Sequence, residues 1–197
     1  MCASIRKQIC LATVGVLCSL GAPLTYAQGQ SQGRQQARAV RVDTGVVRVD
    51  GSLTESVWRD APPVTEFTQL QPAEGVPASD RMEVRFVFDD SALYVGARMY
   101  SSGPVQAPLS RRDDAGQAEA LEIELDTYLD RRTAYSFGVT AAGVRLDHFH
   151  PNDSEDRIQT DFEPVWQART VITEGGWTAE LWIPFSQLRF NTRDQNI

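Results

Sequence analysis

The sequence predicts an all-β fold, an antiparallel β-sandwich of about eight strands. Three observations predict it. Apolar residues recur at every second position through residues 81–147: Met82, Val84, Phe86 and Phe88, then Leu93, Val95, Ala97 and Met99, then Leu121, Ile123 and Leu125, then Tyr135, Phe137 and Val139. Successive strand side chains point to opposite faces, so this alternation builds sheets with one buried face. Turn chemistry at Asp89-Asp90-Ser91 and Ala142-Gly143 punctuates the runs. Helical periodicity is confined to single turns, and no repeat of roughly 20 to 50 residues is present. A small barrel is the alternative arrangement of the same strands.

The chain opens with a targeting segment. Arg6 and Lys7 precede an apolar run over residues 9–20, and Thr25-Tyr26-Ala27 offers a cleavage site between Ala27 and Gln28. The run is shorter than the about 20 residues that span a bilayer, so residues 1–27 read as a cleaved signal peptide and the chain as secreted across an inner membrane. All three cysteines, Cys2, Cys10 and Cys18, leave with it, so the remaining chain has no disulfide chemistry. With Arg6 and Lys7 gone, 17 basic residues face 26 acidic ones, a charge of −9. That balance argues against nucleic acid, which needs a basic footprint, and suits a neutral or cationic ligand or calcium.

Residues 28–45 begin as a Gln-rich polar run and read as a flexible linker, with one domain over residues 46–197. Residues 46–49 read as the first strand, followed by the Asp50-Gly51 turn. Thr54 is placed to cap a helical turn that points Val57 and Trp58 inward, and Pro62-Pro63 stops it. Residues 64–70 alternate as a second strand. After the strands of residues 82–99, residues 101–118 form a long connection holding Arg111-Arg112-Asp113-Asp114. Long loops on a rigid sandwich are where binding residues concentrate. Residues 148–162 form a second polar connection. Residues 164–172 and 177–183 are the last two strands, with Trp177, Ala179, Leu181 and Ile183 on one face and Thr178, Glu180 and Trp182 on the other. Residues 185–188 read as one helical turn.

Several of these pieces, in order, resemble the family 9 carbohydrate-binding modules. The stretch Val49-Asp50-Gly51, Leu53, Glu55 and Trp58-Arg59-Asp60-Ala61 resembles the family's opening motif. Asp89-Asp90 with Leu93-Tyr94-Val95-Gly96-Ala97-Arg98, then residues 121–126, then Gly176-Trp177-Thr178-Ala179-Glu180 and Ile183-Pro184 resemble its later strands. Arg111-Arg112-Asp113, Asp126-Thr127-Tyr128, residues 130–135 and Leu188-Arg189-Phe190 resemble a subgroup of bacterial envelope proteins. In those, the module sits behind a signal peptide and ahead of a large β-rich, outer-membrane region. The resemblance implies a DOMON-like, immunoglobulin-like sandwich whose last strands lie beyond residue 197. It also implies binding of oligo- or polysaccharide, calcium in some members, a periplasmic or outer-membrane setting, a C-terminal β-barrel partner region, and association with enzymes acting on O-glycosyl bonds, with no catalysis by the module itself. Of the family's two clamping tryptophans, one falls near Gly116-Gln117-Ala118, where this chain has no aromatic, and the other belongs to strands after residue 197.

The residues suggest where chemistry could sit. Trp182 alternates outward and is the best aromatic platform for a sugar ring, since a π-face suits the C–H face of a pyranose. Arg111, Arg112 and Asp113 are the loop's polar candidates. Trp58, Trp166 and Trp177 fall in core patterns. Glu122, Glu124 and Asp126 share one outward strand face. Like charges at that spacing repel unless neutralised, either by calcium, which wants several oxygens, or by arginines such as Arg85, Arg98 or Arg145. His148 and His150 face the same way with Asp147, Asp153 and Asp156 nearby, but a transition-metal site needs three or four ligands. Met82 and Met99 point inward, which disfavours haem ligation. No nucleophile elbow, catalytic cysteine, zinc motif or phosphate loop is present.

Overall fold

The computed structural model describes residues 36–152 and 158–190. The chain divides into two units, Met1–Arg34 and Gln35–Ile197, and the description concerns the second. The signal peptide and its cleavage residues Ala27 and Gln28 lie outside the described residues. So do Asp153 and Asp156.

The described residues form eight strands: β1 (Ala39–Arg41), β2 (Met82–Phe88), β3 (Ala92–Tyr100), β4 (Ala120–Leu125), β5 (Ala134–Thr140), β6 (Arg145–His150), β7 (Gln167–Thr173) and β8 (Gly176–Pro184). One helical turn, α1 (Ser56–Asp60), and a 3₁₀ turn (Phe185–Gln187) complete the inventory. A five-stranded sheet, β1-β2-β3-β8-β7, faces a three-stranded sheet, β4-β5-β6. Every pairing is antiparallel except β1 with β2. This is the sandwich that the alternation predicts.

Four local expectations change. The linker read over residues 28–45 is interrupted by β1, because Val40 and Val42 tuck against the sheet and the Val42 N–H bonds the Phe88 carbonyl. Residues 46–49 form no ladder, although Val47 is buried. Residues 64–70 make only isolated bridges, Val64 with Val84 and Thr68 with Pro77. Thr54 caps nothing: the helical turn starts after Glu55, with no side-chain cap.

The inner faces interlock as the apolar pattern requires. Val84, Val95, Ala97, Phe137, Val139, Ala179, Leu181 and Ile183 are all buried between the sheets. Aromatic rings bridge the layers edge-to-face, Phe137 against Trp166 at 5.4 Å between ring centres.

The outer face of the five-stranded sheet is also covered. Residues 40–61 lie across it, and Val47, Trp58 and Ala61 pack on Val87, Ala92 and Tyr94 in a second apolar cluster. Gly96 makes this possible. A Cβ there would stand 2.7 Å from the Trp58 ring. Gly51, at φ +91°, takes the left-handed turn that brings the covering segment against Thr170.

Candidate functional site

Most conspicuous acidic groups are committed to tryptophan indoles. Glu180 is fully buried. Its carboxylate accepts the Trp58 indole N–H at 2.8 Å and the backbone N–H groups of Asp50 and Gly51, each at 2.8 Å. Asp147, also fully buried, accepts the Trp166 indole at 3.0 Å. Glu119 accepts the Trp177 indole at 2.9 Å. Burial pushes the Glu180 carboxyl above its ordinary value, against the pull of its three donors. The three tryptophans assigned to the core are there, at 1–2% exposure.

This corrects the reading of the β8 face. Thr178 and Glu180 alternate with the core residues, but they point into the covering segment and not into solvent. Polar alternation on a strand marks the other face; it does not say that the face is wet.

Trp182 escapes that cover in part. It is half-buried, at the strand end that registers with Tyr94 of β3 and Gln167 of β7. Beside it opens a pocket of about 420 Å³ lined by Trp182, Phe185, Pro184, Asp90, Gln187 and Val165, with Ser91 and Ser186. Local chemistry holds this pocket in shape. Buried Asp89 accepts from the Ser91 and Ala92 N–H groups, at 2.7 and 2.9 Å, and from the hydroxyls of Ser91 and Tyr94. Burial raises the Asp89 pKa, but those bonds outweigh it and leave it below the ordinary value. Burial, then Asp89, pushes the Tyr94 phenol up to about 12, and Trp182 is a further partner of its hydroxyl. The Phe185 N–H bonds the Ser91 carbonyl at 2.9 Å, tying one rim to the other. The Gln187 side-chain oxygen accepts the Val165 N–H at 3.0 Å, which orients its amide. The result is an aromatic wall with a carboxylate, an amide and two hydroxyls around one opening.

The other sequence candidates go elsewhere. Arg112 grips Asp147 at 2.7 Å and Glu163 at 2.8 Å, which raises its pKa further despite burial. Asp113, at φ 60°, accepts the Asp147 N–H at 2.9 Å. Both therefore anchor the long loop to β6 and do not line the pocket. Arg111 is exposed and enters only through its backbone carbonyl, which accepts the Asp114 N–H. Glu122, Glu124 and Asp126 are not gathered into a calcium cage. Glu122 meets Ser136 and, at 3.0 Å, His148. Glu124 lies 3.9 Å from His150. Asp126 accepts the N–H groups of Asp130 and Arg131 in its own turn. The arginines expected to neutralise them bind Glu83 (Arg85), stack on Tyr100 (Arg98) or bond the Trp166 carbonyl (Arg145). Among the described residues, no group of three or more His, Cys, Asp or Glu stands ready to hold a metal ion.

Solved structures share this architecture. A family 9 carbohydrate-binding module from Caldicellulosiruptor kristjanssonii, in complex with glucose, matches with a TM-score of 0.54 and 18% identity, over 78% of this chain and 72% of that one. A family 9 carbohydrate-binding module from the same organism, in complex with cellotriose, gives a TM-score of 0.52 at 18% identity, over 75% of this chain and 67% of that one. This chain has the fold of a family 9 carbohydrate-binding module. A proposed carbohydrate-binding protein from Bacteroides uniformis matches with a TM-score of 0.50 and 12% identity, over 76% of this chain and 75% of that one. No protein-family model matches the sequence, and no curated protein does.

The fold explains why the motif pieces occur together. Asp50-Gly51, Trp58, Gly96 and Glu180 are one cluster, in which the turn and the indole bond one carboxylate and the glycine makes room for the ring. Trp182, the aromatic candidate of the sequence, lines this pocket, and Asp90, Phe185, Ser186 and Gln187, which line it too, were not among the sequence candidates. The available signal was the register: a polar Asp-Asp-Ser turn opens β3, and Ala92 of β3 pairs with Pro184 at the end of β8.

Proposed function

We propose that this chain is an exported, non-catalytic sugar-binding module whose ligand site is the pocket beside Trp182. The observation that carries the proposal is the pocket's composition. A half-buried tryptophan and Phe185 offer apolar ring faces, and Asp90, Gln187, Ser91 and Ser186 offer hydroxyl partners on a fixed rim. Sugar sites pair aromatic stacking with a few placed polar groups. The shared fold with modules solved in complex with glucose and cellotriose supports the same class of ligand. An outer-membrane or periplasmic setting, and tethering of a larger envelope protein to polysaccharide, belong to this proposal through the targeting segment and the envelope-protein motifs. Calcium, if it takes part, would have to bind somewhere other than Glu122, Glu124 and Asp126 as they stand.

Calorimetric titration of the chain with glucose, cellotriose and a panel of other oligosaccharides tests the proposal. Saturable heat with at least one sugar, weakened at least tenfold by Trp182→Ala, is expected; tenfold corresponds to about 1.4 kcal/mol. Silence across the panel would favour a second reading, a module that packs on a neighbouring region without sugar. The bare Gly116-Gln117-Ala118 segment, aromatic-free where the resembling family carries a clamp, is what favours that alternative.

A further inference from the structure

Beyond Gly96 the outer face of the five-stranded sheet turns from apolar to cationic. Arg98 and Tyr100 of β3 occupy it, and the register sets Glu83 of β2 directly opposite Arg98 and Arg85 opposite Gly96. Arg81 continues the same row, its carbonyl accepting the Tyr100 N–H at 2.9 Å. Three arginines therefore gather on one stretch of a chain in which acidic residues outnumber basic ones.

One carboxylate holds this group together. Glu83 is buried, and it accepts Arg81 at 2.5 Å, Arg85 at 2.8 Å and the Tyr100 hydroxyl at 3.2 Å. Burial pushes its pKa up, but Arg85, Arg81 and Tyr100 outweigh that and keep it below the ordinary 4.5. Glu83 is therefore charged at neutral pH, and it cancels one of three positive charges. Arg85 is the best covered of the arginines with an ion pair here, its side chain 18% exposed. It supplies charge from beneath. The guanidiniums of Arg81 and Arg98 both lie over the Tyr100 ring, 5.1 and 5.6 Å from its centre. Stacking fixes them without neutralising them. Arg98 is exposed and makes no ion pair among the described residues, so its planar fork of donors is unclaimed.

We propose that this face is a second binding site, for the carboxylate or sulfate groups of an acidic polysaccharide, with Arg98 and Arg81 as the contacting residues. The guanidinium fork matches the two oxygens of a carboxylate or sulfate group. A single small anion on an exposed arginine gains little, because water and salt screen it. A polymer that carries an anionic group on each sugar ring can meet both arginines at once, and linked contacts reinforce one another. Charge density separates this ligand from nucleic acid. A duplex carries one phosphate charge per about 1.7 Å, and against so dense a row the acidic remainder of this chain is repulsive. The site stands at the end of β3 away from the Trp182 pocket, whose lining shares no residue with it. It does not depend on the proposed sugar site there.

Calorimetric titration with polygalacturonate and with dextran sulfate tests it. Saturable binding of at least one of the two is expected, weakening as salt is raised, and Trp182→Ala should leave it unchanged. The carboxylate and sulfate arms show which group is preferred. In the Trp182→Ala background neutral dextran should give no heat. Arg98→Ala should weaken binding of the polyanion at least tenfold. Arg98→Lys keeps the charge but loses the fork, and should recover only part of that. Arg132→Ala removes an equal charge from another exposed position and should change affinity less than twofold. Arg81 and Arg98 are both exposed, so their variants should keep the far-ultraviolet circular dichroism of the parent. Failure of the unmodified chain to bind either polyanion would overturn the proposal. So would undiminished binding in a folded Arg81→Ala/Arg98→Ala variant, or a loss in Arg132→Ala equal to that in Arg98→Ala. Duplex DNA bound as tightly as the acidic polysaccharide would also overturn it, by showing attraction to any polyanion.

Discussion

Replacing Glu180 by leucine removes one side chain and strands three donors. In the folded chain its carboxylate holds the N–H groups of Asp50 and Gly51 and the indole of Trp58, all at 2.8 Å. The Asp50 group is only part-buried and can turn to water. The other two are buried. A buried donor that loses its acceptor costs about 1–3 kcal/mol, so Glu180→Leu should cost about 2–6 kcal/mol, a large share of the roughly 5–15 kcal/mol that holds a domain folded. Urea unfolding followed by tryptophan fluorescence measures it. The design of the control matters more than the size of the number. Trp58→Phe keeps a ring over Gly96 but removes the indole donor. In that background one of the two orphans no longer exists, so Glu180→Leu should cost about 1–3 kcal/mol less than in the unmodified chain. Equal costs in the two backgrounds would refute the shared-acceptor account, and so would a Glu180→Leu chain as stable as the parent.

The same carboxylate predicts a pH effect. Burial raises its folded-state pKa above the ordinary 4.5. A raised carboxyl contributes stability that is present below about 4.5 and is lost as pH rises through the folded value. Glu180→Gln cannot ionise. Its stability should lack that loss, although it gives up one acceptor. The difference between parent and variant should therefore narrow from pH 4.5 upward, and a constant difference would contradict the assigned direction.

Gly96→Ala should destabilise by about 1–3 kcal/mol, the range for overpacking, because its Cβ would stand 2.7 Å from the Trp58 ring; an unchanged urea midpoint would show that the ring moves freely. Asp89→Asn should act on the acid side. The native group lies below its ordinary 3.8, so its contribution is present above that value and lost as pH falls through the folded pKa; the variant should lose that part of acid unfolding, and, with Tyr94 and Ser91 less well fixed, should weaken sugar binding. Arg112→Ala leaves buried Asp147 with one indole donor and an opening to water where the half-exposed arginine stood, and should cost about 1–3 kcal/mol, the range for a buried polar group that loses a partner, while leaving the affinity of the Trp182 pocket for sugar unchanged, since neither residue lines it.

How far the fold could be read in advance follows from what alternation does and does not record. It reports which residues share a face. The strands from Met82 to Thr140 were legible because their buried faces are uniformly apolar and their turns carry Asp, Ser or Gly. It does not report what covers the opposite face. Glu180, Thr178 and Glu83 look like solvent-facing residues of ordinary strands, yet each is buried, two of them beneath a segment more than a hundred residues away in sequence. The acidic excess was read as a surface property and hence as a hint of calcium. Part of it is turned inward: buried Glu180 and Asp147 and half-buried Glu119 each answer one indole N–H, and buried Asp89 answers a turn and a phenol.

Hydrogen-bond occupancy also limits which carboxylates can meet a ligand. A carboxylate that already accepts two or three bonds from the protein has no acceptor capacity to offer a sugar without undoing the fold. Removing Glu180, Asp147, Glu119 and Asp89 from consideration leaves few acidic groups beside an aromatic face, and Asp90, next to Trp182 and Phe185, is the one that lines the pocket. Asp90 is also paired with Arg41 of β1, but both side chains are mostly exposed, at 78% and 63%. An exposed pair of that kind contributes little to stability, so a sugar hydroxyl can compete for the carboxylate at small cost. Hydrogen-bond occupancy separates the carboxylates that build the sandwich from those still free to bind, and the proposed site at the end of β8 uses one of the latter.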